Sequence, residues 1–145
     1  MEMHGLHDVV AALCRLPITY HERGDVSEVD LIREIGYAEQ ATEITEGLLD
    51  EHIRAHPELL EVWVQYSEDQ RCSPAWVLSG RDTIGDPTKD WHVSYWDHDP
   101  AKRSDHVFPD QFAACAFFVK RQADSLIQIA MAHRGRSQRG KRHDP

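Results

Sequence analysis

From Glu61 to Trp96 the chain alternates apolar and polar residues in three short runs, and the linkers between them are too short to hold a helix. A sheet built from such runs is an antiparallel meander, because a parallel crossover needs a dozen or more residues, usually a helix. In Glu61–Tyr66, Val62, Val64 and Tyr66 fall on one face and Trp63 and Gln65 on the other. Pro74–Ser79 is a second short β run. Asp90–Trp96 alternates most clearly, with Trp91, Val93 and Tyr95 opposed to His92, Ser94 and Trp96. The linkers Ser67–Ser73 and Gly80–Lys89 are polar and of hairpin-connection length.

Ahead of this block the periodicity is helical. Leu6, Val9, Val10, Leu13 and Cys14 make one stripe, which predicts a helix over 4–15 that ends before Pro17. Tyr20–Asp25, with Gly24, is expected to be a loop. Ser27 can cap a second helix, with Asp30 at its third position, Val26 and Leu31 spaced as a hydrophobic staple, and Gly36 placed to stop it. A third helix starts at Thr45, stapled by Ile44 and Leu49, and ends at His56 before Pro57. Beyond the β runs, Pro109 opens a long helical stretch carrying Phe112, Cys115, Ala116, Val119, Ala123, Leu126, Ile127 and Ala130 on one side. Phe117 and Phe118 widen that side, as suits a helix lying across a sheet. The predicted class is therefore α+β: three short N-terminal helices, a three- to four-stranded antiparallel meander, and one long C-terminal helix packed on it.

With 41% apolar residues the chain can close a core without disulfides or metal. One domain is expected over 1–132. The tail, 133–145, holds Arg134, Arg136, Arg139, Lys141 and Arg142 against Asp144 and no apolar residue, so it is expected to be disordered. The whole chain carries 16 Lys and Arg against 25 Asp and Glu, and the body without its tail stands at −13. Such a body repels nucleic acid and draws cationic partners. Cys14, Cys72 and Cys115 are odd in number, far apart and outside any CxxC, which suits a reducing compartment. With no basic n-region at the start and no apolar run near ~18 residues, the expected location is the cytoplasm, without membrane contact.

The search for catalytic chemistry ends without a candidate. His52 and His56 share one helical side, but the stretch His-Ile-Arg-Ala-His lacks the glutamate of the HExxH motif. Asp97, His98 and Asp99, with His106 downstream, offer ligand types in a loop whose Pro100 already accounts for the aspartates. Cys72 lies beside Arg71, without the base or oxyanion site a nucleophile needs. Ser67 and Ser79 lack a Gly-x-Ser-x-Gly context, and Gly80–Gly85 lacks the ending of a phosphate loop. No catalytic residue, metal or cofactor is assigned.

Trp63–Trp76 instead offers the side chains that most often carry binding energy, two tryptophans bracketing a charged turn. The alternative placement puts Trp63 and Trp76 in the core as a cross-strand pair, with the turn alone as contact. The candidate partner-binding residues are Glu61, Trp63, Tyr66, Glu68, Asp69, Arg71, Trp76 and Asp97. The segments LIREIGY, WVQYSEDQRCSPAWVL, WHVSYWD and FPDQFAACAFFVKRQADSLI, within residues 26–128, give the chain an arrangement that resembles small bacterial immunity proteins of polymorphic-toxin systems. That resemblance implies a cytosolic α+β domain that neutralises a cognate toxin by direct binding, and it assigns no site residue. The acidic stretches Glu22–Asp30, Glu39–Glu51, Glu58–Glu61 and Glu68–Asp69 suit a basic toxin as partner. Two other functions compete: a metal-dependent enzyme using His52, His56, Asp97, His98 or His106, and a nucleic-acid adaptor using the basic tail.

Overall fold

The computed structural model describes residues 5–70, 74–81, 84, 86 and 88–142, with side chains described as far as Ala132. The helices ahead of the sheet are α1 (Leu6–Cys14), α2 (Leu16–Arg23), α3 (Glu28–Glu34), α4 (Tyr37–Gln40), α5 (Glu46–Ala55) and α6 (Glu58–Asp69). The strands β1 (Ala75–Ser79), β2 (Trp91–Trp96) and β3 (Ser104–Phe108) follow, and α7 (Gln111–Arg142) closes the chain. The class is α+β, with an antiparallel sheet in the order β1-β2-β3 and α7 packed across it.

The predicted caps form. Ser27 Oγ accepts from the Asp30 amide at 3.0 Å, and Thr45 Oγ1 accepts from the Leu48 amide at 3.2 Å. Gly36 leaves α3 at φ 83, and Ile44 and Leu49 are fully buried beside the Thr45 cap. Pro17 does not end the helical run. It lies in the first turn of α2, where a missing amide hydrogen removes no intrahelical bond. The expected loop at Tyr20–Asp25 is therefore helical through Arg23, and Gly24 at φ 67 ends it.

Glu61–Tyr66 is a second correction: it is helix, not strand. Pro57 opens α6, and Glu58 and Glu61 in the first turn suit the positive end of the helix. Leu59, Leu60, Trp63, Val64 and Ser67 then fall on one helical face, and all are buried. The apparent alternation of Val62, Val64 and Tyr66 is incidental to that stripe, since Val62 is only half-buried. Trp63 donates its indole N–H to the Cys14 carbonyl at 2.8 Å and meets Tyr66 and Phe118 edge-on. It makes no cross-strand pair with Trp76.

The meander keeps three strands by taking β3, a segment to which the sequence pattern assigns no element. Ser104–Phe108 is polar except at Val107 and Phe108, and those two face opposite sides of the sheet. His106 fills an inward position, with its ring 4.8 Å from Phe117 and 6.0 Å from Trp76. The two sheet edges differ. On β1 the outward Leu78 amide donates to Ser67 Oγ at 2.8 Å, and the Trp76 carbonyl accepts from Gln70 Nε2 at 2.8 Å. The end of α6 thus caps that edge. The pairing of β2 with β3 then turns the backbone groups of Asp105 and Val107 outward, and among the described residues none is bonded. Ser67→Ala orphans the buried Leu78 amide, and a loss of about 1–3 kcal/mol is expected, read from the urea midpoint at unchanged slope.

Ala114–Val119 of α7 is buried all round because two layers meet there. Phe118 faces Trp63 and Tyr66 of α6, while Phe117 faces Trp76, His106 and Phe108 of the sheet. Tyr37 fixes α7 on its other flank. Its hydroxyl donates to Asp124 Oδ1 at 2.5 Å and accepts from Lys120 Nζ at 2.7 Å, and Lys120 also reaches the Ala41 carbonyl. Cys14 and Cys115 are buried thiols, and burial pushes Cys14 up to about 12. α7 is helical to Arg142 and so runs into the stretch expected to be a disordered tail; side chains from His133 lie outside the described residues. Among the described residues no helix is long and apolar enough to cross a membrane.

Candidate functional site

A cleft of about 910 Å³ opens where α2, α3, the end of α6, the first two strands and α7 converge. It is within the usual range of ligand pockets, about 300–1,000 Å³. The Ser27 cap starts α3 at the rim and so points Glu28 and Val29 inward, while α2 supplies Tyr20 and His21. Tyr66, Asp69 and Gln70 come from the end of α6, Trp76 and Tyr95 from facing positions on β1 and β2, and Gln122, Ser125, Leu126 and Ile129 from α7. The rings of Trp76 and Tyr95 lie 5.1 Å apart.

A hydrogen-bonded chain spans three of these elements. Buried Gln122 donates through Nε2 to the Tyr66 hydroxyl at 2.8 Å, and that hydroxyl donates to Glu28 Oε2 at 3.0 Å. Burial raises the Glu28 carboxyl above its ordinary value; the Tyr66 hydrogen bond and nearby His21 pull it back less. The cleft thus holds two carboxylates, Glu28 and Asp69, and among the described residues no Lys or Arg lines it. Several carboxylates elsewhere do have such partners: Glu34 pairs with Arg23, Asp50 and Asp110 with Arg54, and Asp124 with Lys120.

The structure divides the sequence-predicted contact residues. Tyr66, Asp69 and Trp76 line the cleft. Glu61 and Glu68 lie on the exposed side of α6, bound to Arg81 at 2.5 and 2.6 Å, so their charge is already answered. Trp63 is 1% exposed and belongs to the core, where it cannot meet a partner. Asp97 lies in the turn after β2, accepting from the Asp99 amide at 2.8 Å. Arg71, like Cys72, lies outside the described residues. The sequence pattern does not single out Tyr20, His21, Tyr95 or Gln122, and it includes Glu28 only within the acidic stretch Glu22–Asp30. Gln122 left a trace, a polar residue on the otherwise apolar side of α7 between Phe118 and Leu126.

The histidine and aspartate candidates for a metal are not brought together. His52 and His56 lie with their rings 4.6 Å apart on α5, His98 lies edge-on against Trp96, and His106 faces the sheet's inner side. Among the described residues no group of three or more such side chains is placed to hold a metal ion. On the outer sheet face Asp105 accepts from Ser94 Oγ at 2.6 Å and lies 3.1 Å from His92 Nδ1. A hydrolytic triad needs the imidazole between hydroxyl and carboxylate; here the carboxylate is in the middle, so the trio is not set to activate Ser94. Compared with known proteins, the chain matches no family model, no curated protein and no solved structure.

Proposed function

We propose that the protein is a partner-binding domain that captures a basic protein and blocks its action, as an immunity protein does with its cognate toxin. The observation that supports this is the aromatic-walled cleft, which holds Glu28 and Asp69 and, among the described residues, is lined by no Lys or Arg, with His21 near Glu28. Aromatic walls bury large area at low entropy cost, and a partly desolvated carboxylate gains from a cation more than an exposed one does. The acidic body adds a long-range attraction that salt screens. The test is a pull-down of the full chain against the product of the adjacent gene, at low and high salt. A complex that weakens as salt rises is expected; no complex at low salt overturns the reading.

Glu28 gives a second check, because the same burial that serves a cation costs stability when none is bound. Its folded-state pKa is raised, so its contribution to stability is fully present below the unfolded value and is lost as pH rises through the folded one. The titratable groups acting on it are Tyr66 on α6 and His21 on α2, and Tyr20, Asp69 and Tyr95 line the same cleft. Glu28→Gln removes the charge and keeps an acceptor for Tyr66. Its melting temperature is expected to exceed that of the unaltered protein at neutral pH, with the two converging as pH falls into the carboxylate range. A lower melting temperature at neutral pH would show that the carboxylate is well satisfied without a partner.

A further inference from the structure

We infer that the cleft receives an arginine side chain of the partner, its guanidinium among the rings of Tyr20, Trp76 and Tyr95 with Glu28 as ionic partner. This rests on the reading of the protein as one that captures a basic protein. Three observations narrow the occupant. Glu28 Oε2 is taken by the Tyr66 hydroxyl, and Gln122 holds that hydroxyl in place, so the carboxylate is oriented before anything binds, and among the described residues none donates to its other oxygen. The walls are planar rings, and a guanidinium stacks on them while donating at its edge, which a compact, strongly hydrated ammonium does less well. The chain itself makes this pairing, with Arg103 4.7 Å from the Trp96 ring centre, Arg54 5.1 Å from that of Phe112, and Arg121 4.5 Å from that of Phe117 and 5.9 Å from that of Trp76. An incoming guanidinium would therefore use the Tyr20 and Tyr95 rings and the part of Trp76 that Arg121 leaves open.

A protein rather than a free metabolite is favoured by the rim. Ile129 lines the cleft and is 43% exposed, an apolar side chain at the mouth where residues flanking the arginine would pack. The cleft is also larger than one side chain needs.

The test uses the full chain and two arms. In the first, Nα-acetyl-arginine methylamide is titrated while the indole N–H signal of Trp76 and the side-chain amide signal of Gln122 are followed by NMR, with the citrulline and lysine counterparts as controls. The arginine compound is expected to shift both signals saturably, and the citrulline compound, equal in shape but neutral, to bind at least tenfold more weakly. Glu28→Gln should abolish the difference between them. Equal binding of citrulline, or tighter binding of lysine, overturns the inference. In the second arm the complex with the adjacent gene's product is compared with and without Glu28→Gln. At least a tenfold weakening is expected, and an unchanged complex overturns the arginine assignment while leaving the inhibitor reading intact. Arginine-selective shifts with no complex in the pull-down remove the inhibitor reading instead, and leave the cleft as a guanidinium site.

Discussion

Trp63→Ala is expected to leave little folded protein. The indole is 1% exposed, fills the junction of α1, α6 and α7, and is the only described side-chain donor to the Cys14 carbonyl where α1 ends. Truncating a core tryptophan costs about 3–5 kcal/mol, and the orphaned carbonyl adds about 1–3 kcal/mol. The sum approaches the whole stability of an ordinary domain, about 5–15 kcal/mol. Trp63→Phe separates the two contributions, since it keeps most of the ring packing and loses the donor; a loss nearer the smaller figure is expected. Circular dichroism with urea unfolding reads both. A Trp63→Ala melt close to that of the unaltered protein would mean that α6 is not fastened to α1 through this ring.

Gly80→Ala should be nearly as damaging for a different reason. A Cβ at Gly80 would lie 2.3 Å from the nearest Trp91 ring atom, and the backbone there has φ 153, which residues with a side chain rarely adopt. Trp91 is itself 1% exposed and cannot swing away. Overpacking of this kind costs about 1–3 kcal/mol, with backbone strain of about the same size added. The measurement that isolates the cause is a double-mutant cycle with Trp91→Leu. If the clash is the mechanism, Gly80→Ala costs less when Trp91→Leu is already present; an identical cost in both backgrounds would assign the loss to the backbone alone.

Local chemistry explains what sequence reading recovered. The Ser27 and Thr45 caps each involve residues three apart, and the stripe of α7 spans many turns, so neither depends on the rest of the fold. Leu59–Ser67 shows where that reach ends. The segment carries a two-residue alternation and a helical stripe together, and what favours the helix is burial of that stripe against distant elements, with Trp63 reaching the Cys14 carbonyl on another helix. β3 was missed because two apolar residues on opposite faces give no period, and its inward place is held by a histidine. The candidate site was legible only in part. Tyr66, Asp69 and Trp76 stood out by residue type, whereas Glu28 and Gln122 gain meaning only when three separate elements converge on one hydroxyl. Trp63 shows the converse, since the residue type that serves interfaces serves cores equally.

The unequal edges of the sheet set a bias in self-association. Ser67 and Gln70 take two of the outward groups of β1, the Leu78 amide and the Trp76 carbonyl, whereas within the described residues nothing bonds the outward groups of β3 at Asp105 and Val107. A strand added beside β1 would have to displace both side chains, whereas one added beside β3 would displace none that is described. The end of a single helix thus biases any backbone pairing between copies toward β3 against β3, an arrangement that closes on itself.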